Sequence, residues 1–181
     1  NYISTGYSFN NGIGINFRWG TGTQSLGNTL MPGIIISEYL TDAPYINLRV
    51  YSPVFCYNFN ATQLTPSAIF YSHRLDFRLF KRVELSFMEG ILPYDSFDLR
   101  YIDPFGIFHS YGLFNELKMN SFFGAKFSFT PCQYLRIYGL YAQNEHTMAS
   151  EENALPEGFG FQVGAETYIP LRKGYLHAGV E

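Results

Sequence analysis

From position 69 to position 79 the side chains alternate without a break. Ile69, Tyr71, His73, Leu75, Phe77 and Leu79 fall on one side of an extended chain, and Phe70, Ser72, Arg74, Asp76 and Arg78 on the other. A period of two is the geometry of a β-strand, whose successive side chains leave opposite faces. The same pattern recurs along the chain. Ile13, Ile15, Phe17 and Trp19 oppose Gly12, Gly14, Asn16 and Arg18; Ile46, Leu48 and Val50 oppose Asn47 and Arg49; Phe55, Tyr57 and Phe59 oppose Cys56, Asn58 and Asn60. Val83, Leu85 and Phe87 oppose Glu84 and Ser86, and Phe123, Ala125, Phe127 and Phe129 oppose Gly124, Lys126 and Ser128. Leu135, Ile137 and Tyr141 lie opposite Arg136 and Tyr138. The run from Phe159 to Ile169 lies opposite Gly160, Gln162, Gly164 and Glu166, and Leu176, Ala178 and Val180 begin a last strand. Residues 30–40 read as a weaker strand, interrupted by Pro32 and Gly33. The expectation is an all-β, antiparallel chain of about ten strands.

Alternation alone fits a sandwich as well as a barrel, because a solvated sheet face carries charges too. Three features favour a transmembrane β-barrel. The segments run to about ten residues, the length that crosses a bilayer at a tilt. Their apolar faces are rich in Phe, with Trp19, Tyr45, Tyr71, Tyr141 and Tyr175 near segment ends, where interfacial girdles lie. Glycines face the phenylalanines on several strands. Composition agrees, since aromatic residues reach 19% and charged residues only 15%, against about 25% in an ordinary globular domain. No window nears the ~18 consecutive apolar residues of a helical span. The net charge of −3 argues against a nucleic-acid partner. Cys56 and Cys132 define neither a disulfide framework nor a zinc site, and no motif calls for a cofactor.

The connections at 52–53, 81–82, 131–133 and 171–173 are short, whereas 61–66 and 144–157 are longer. The longest stretch without sustained alternation is 91–120. A strand leaving one short turn and a strand entering another must be joined by a single excursion on the opposite, long-loop side, so 91–120 is read as that excursion within one barrel segment spanning 1–181.

Three runs carry a resemblance: HRLDFRLFKRVELSFMEG from His73, LRYIDPFGIFHSYG from Leu99, and NSFFGAKFSFTPCQYLRIYGLYAQNE from Asn120. Their most specific elements are Arg100, Tyr101, Pro104, Phe108 and His109. Together they resemble the Wzi-type capsule-assembly family of outer-membrane proteins. Two family features are not seen, an N-terminal helical region and a terminal aromatic strand of the barrel-insertion type. The resemblance implies a bacterial outer-membrane barrel, embedded in lipid and exposed at the cell surface, acting as a lectin for capsular or surface polysaccharide. It also implies more chain than 181 residues, so the sequence reads as a piece of such a protein.

Sugar sites pair flat aromatic rings, which cover the C–H face of a pyranose, with planar polar groups for its hydroxyls. The excursion supplies both kinds in Tyr94, Asp95, Tyr101, Asp103, His109, Tyr111, Asn115 and Glu116, and these are the candidate glycan-binding residues. The bland alternative is that the rings pack and the charges pair internally, for instance Arg100 with Asp98 or Asp103. In the glycan reading, Phe97, Leu99, Phe105, Ile107 and Phe108 anchor the excursion over or into the barrel mouth, leaving Tyr101, Asp103, His109 and Tyr111 at the rim. Catalysis is not expected. His109 and Ser110 would point to opposite faces of a strand, His146 lies in an acidic loop, and nothing fixes the separation of Asp95 and Asp98. His73 and His177 belong to no cluster with metal-ligand spacing. Arg74, Asp76, Arg78, Glu84, Lys126, Arg136 and Glu166 are expected to face the lumen, with Leu75, Phe77, Phe127 and Phe161 facing lipid. Those charges also support a second reading, a porin-like channel whose lumen sets a selectivity field.

Overall fold

The computed structural model describes residues 1–23, 30, 33–35, 42–93, 98–103, 105–108, 119–144 and 158–181. Ten strands follow one another: β1 (Tyr2–Ser8), β2 (Gly14–Gly22), β3 (Ala43–Tyr51), β4 (Phe55–Thr65), β5 (Ala68–Leu79), β6 (Val83–Pro93), β7 (Met119–Cys132), β8 (Leu135–Asn144), β9 (Gly158–Leu171) and β10 (Gly174–Val180). They form a single antiparallel sheet in sequence order. The sheet is not closed, since β1 pairs only with β2 and β10 only with β9.

The register carries the period-two pattern intact from strand to strand. One row runs Tyr7, Ile15, Val50, Tyr57, Leu75, Phe87, Ala125, Tyr141 and Phe161 across nine strands. The adjacent row on the opposite face runs Gly6, Asn16, Arg49, Asn58, Arg74, Met88, Gly124, Ala142 and Gly160. One face is thus apolar and the other polar. A slip of one residue anywhere would exchange them.

Every connection at one end is short: 9–13, 52–54, 80–82, 133–134 and 172–173. At the other end lie 23–42, 94–118 and 145–157, together with the tight turn at 66–67. That parity agrees with the sequence, but several boundaries do not. The stretch at 61–66 is no loop, because β4 continues to Thr65 through a bulge near Gln63 and turns at 66–67. Strands β6 and β7 extend into the 91–120 stretch, with Pro93 closing β6 opposite Met119, where its missing donor costs least. Tyr2–Ser8, not singled out from sequence, is a strand. Of 30–40, the described residues 30 and 33–35 are not strand.

Those four residues reveal a crossing. Leu30 follows Gly22 of β2 by eight residues, a reach of at most about 29 Å, yet its side chain packs on Gly179 of β10. Eight strand spacings along a flat sheet would be about 38 Å. The polar face is therefore concave, and the described residues of the β2–β3 connection lie against it. Its apolar side chains settle where the facing strands carry glycine: Leu30 on Gly179, Ile34 on Gly160 and Ile35 on Gly124, so a Cβ at Gly179 or Gly124 would collide with them. Two flat-lying tyrosines use the same device, Tyr51 over Gly14 and Tyr138 over Gly164. The glycines opposite the phenylalanines are not empty space.

Candidate functional site

On the apolar face, His73 and Glu89 are the only His, Asp, Glu, Lys or Arg that the ten strands present, and they are neighbours in the register. Both lie beneath the described part of the long excursion. Phe108 sets its ring edge-on to His73 at 4.1 Å, and its backbone N–H donates to Glu89 Oε2 at 3.1 Å. The Tyr57 hydroxyl reaches His73 Nδ1 at 2.6 Å. Around this polar pair a cluster is buried: Phe59, Tyr71, Ile91, Tyr101 and Phe108. The described part of the excursion thus folds onto the apolar face at the long-loop end of β4–β6, whereas the sequence reading placed the excursion over or into a barrel mouth. Glu89 was the available cue, a carboxylate falling in step with Val83, Leu85, Phe87 and Ile91.

The excursion's local shape follows from two Asx-type contacts. Asp98 begins a 3-10 turn over Leu99–Ile102 by accepting the Arg100 N–H at 2.8 Å, while Arg100 Nε lies 3.0 and 2.9 Å from the two carboxylate oxygens. The side-chain hydrogen bonds from Arg100 hold the Asp98 carboxyl down at about 2. At the far end, Asp103 Oδ1 accepts the Phe105 N–H at 3.0 Å. Short polar side chains bonding backbone two residues on favour turns over strands.

These contacts sort the candidate residues. Tyr101 is 1% exposed and stacks obliquely on Tyr71 at 5.5 Å, so it packs and is not at a rim. Asp103 is exposed. Among the described residues expected as anchors only Phe108 is buried, while Leu99, Ile107 and, at 90%, Phe105 are exposed. The structure therefore ties the exposed Asp103 carboxylate to the backbone N–H of Phe105, whose ring stands open to the surroundings. Sequence reasoning assigned Phe105 to packing because nothing local distinguishes a buried ring from an open one. Tyr94, Asp95, His109, Tyr111, Asn115, Glu116 and the anchor Phe97 lie outside the described residues.

On the concave face all seven candidate lumen charges share one side. Arg74 bonds Asp76 at 3.0 Å, Arg78 bonds Glu84 at 2.9 Å, and Lys126 approaches Glu84 at 3.8 Å. Arg136 bonds Glu166 at 2.5 Å and lies over the Tyr138 ring at 4.6 Å. His177 stacks on Tyr168 and stands 3.4 Å from Glu166 Oε2. Among the described residues no group of three or more His, Cys, Asp or Glu could hold a metal ion. No protein-family model, curated protein or solved structure matches the chain.

Proposed function

We propose that this chain is a segment of a bacterial outer-membrane β-barrel of the capsule-assembly type, which holds capsular or surface polysaccharide at the cell surface without catalysis. The observation that carries the reading is the apolar face. Its rows run unbroken across the sheet, and Phe17, Trp19, Phe87, Phe127 and Phe161 stay exposed there. A soluble sheet would cover such a face with a second layer, whereas lipid covers it directly. The two ionisable groups on that face sit under the excursion, where a charge would otherwise meet hydrocarbon. Trp19, the only tryptophan, reports on this contact: in vesicles its fluorescence should be quenched by brominated lipid at interfacial depth. Full exposure to aqueous iodide instead would sink the membrane reading.

The exposed ring of Phe105, a residue whose backbone N–H holds the Asp103 carboxylate, is the feature of the excursion best suited to a sugar. Asp103→Ala and Phe105→Ala should each weaken polysaccharide retention by about 1–3 kcal/mol while the fold survives. Retention unchanged in both would move the site away from these residues. The side chains of Leu30, Ile34 and Ile35 lie across the concave face, which favours a filled interior over a water path. Appreciable conductance in a planar bilayer would support the channel reading instead.

A further inference from the structure

Near the short-turn end of β3–β7 the concave face holds a cavity of about 430 Å³, with Ile35 on its margin. Four cationic side chains line it, Arg49, Arg74, Arg78 and Lys126, against two carboxylates, Asp76 and Glu84. Four minus two leaves +2, in a chain whose net charge is −3. Both carboxylates are engaged. Asp76 Oδ2 accepts from Arg74 and, at 3.2 Å, from Asn58 Nδ2, and Glu84 is shared by Arg78 and Lys126.

Arg49 meets no carboxylate among the described residues. Its Nε donates to Cys56 Sγ at 3.0 Å, a weak acceptor. Its guanidinium lies over the Tyr51 ring, 5.6 Å from the centroid. Tyr51 is itself fixed, lying flat over Gly14 with its hydroxyl 3.1 Å from Ser8 Oγ. A guanidinium offers five donors in a rigid fork that fits carboxylate and phosphate two bonds at a time. Here that fork has a platform, an excess of positive charge around it, and a cavity within the size range of small-ligand sites.

We propose that this cavity binds the oxyanion of an acidic sugar, a carboxylate or a phosphate, with Arg49 as its anchor and Arg74 and Lys126 completing the field. The sugar body rests on the polysaccharide reading above; the anion rests on the charge arrangement alone. The site is separate from Asp103 and Phe105, on the opposite face of the sheet.

Cys56 lines the cavity, whereas Cys132 is exposed at the end of β7, so the protein carries its own probe and reference. The full chain in detergent would be treated with iodoacetamide, with each cysteine followed by peptide mass, in the presence of glucuronate, glucose 6-phosphate or glucose. The proposal expects one or both anionic sugars to slow Cys56 labelling at least tenfold more effectively than glucose, with Cys132 unchanged. Whichever anionic sugar protects better identifies the oxyanion. In calorimetry Arg49→Gln should abolish the preference, and Glu84→Gln, which releases Arg78 and Lys126, should raise affinity severalfold. Equal protection by glucose, no protection by any sugar, or an unchanged preference in Arg49→Gln would each overturn it. Retention measured on the Asp103 and Phe105 variants stands or falls separately.

Discussion

The Tyr57 hydroxyl and His73 Nδ1 stand 2.6 Å apart on a face of the sheet that is otherwise almost wholly apolar. Taking away the partner of a buried polar atom leaves that atom unsatisfied, which costs free energy. Tyr57→Phe removes that hydroxyl and nothing else. It should destabilise the fold by about 1–2 kcal/mol, read as a lower urea midpoint with unchanged slope. An unaltered midpoint would mean the contact contributes nothing.

Two aromatic truncations in the excursion should behave oppositely. Tyr101→Ala empties a fully enclosed site and is expected to cost about 3–5 kcal/mol. Phe105→Ala changes an open surface and should stay within about 0.5 kcal/mol. Comparable losses from both would contradict the burial described for them.

The hairpin between β5 and β6 turns on Phe80 and Lys81, whose φ angles are both positive, 51° and 60°, and is closed by the Arg82 N–H donating to Leu79 O at 3.1 Å. Two consecutive left-handed residues inside an i to i+3 hydrogen bond have the signs of a type I′ turn, which favours Asn-Gly. Without glycine each costs on the order of 1 kcal/mol. The double change Phe80→Asn with Lys81→Gly should therefore raise stability by about 1–2 kcal/mol. A fall in stability would show that the exposed Phe80 ring has a stabilising contact.

Asp98 sets a pH dependence whose sign follows from its hydrogen bonds. Its carboxyl is lowered by Arg100 from an ordinary 3.8 to about 2. The contact therefore favours the folded turn above pH 4 and is lost as pH falls towards 2. Carbon NMR should follow the Asp98 carboxyl titrating near 2, and near its ordinary value in Arg100→Ala. An Asp98 midpoint that ignores the Arg100 substitution would rule out this cause.

Strands were legible wherever one face was almost wholly apolar, as in β2 and β7, because the period-two signal is then strong. Tyr2–Ser8 escaped notice, since Thr5 and Gly6 weaken both of its faces. The turn at 66–67 was overestimated because Thr, Gln and Pro look loop-like, although Thr62 is fully buried in β4. The candidate site was less legible for a different reason. Which face a long connection folds onto depends on partners far away in sequence. Tyr101 packs on Tyr71 and Phe105 stays exposed, a distinction that neither residue's neighbours encode. The concave cavity followed the same logic, for the charges were visible but their pairing was not.

The contact of Leu30 with the last strand also has a bearing on time. Its N–H donates to Glu181 Oε2 at 3.0 Å, across 151 positions of chain. A meander can form hairpin by hairpin from local pairings, each inexpensive in loop entropy, but an attachment of this span must wait for the other end. The crossing segment is therefore expected to be among the last parts to take its native place. Until β10 exists, the glycines it covers on β7, β9 and β10 have nothing to receive, and the concave face stays open while the sheet is being built.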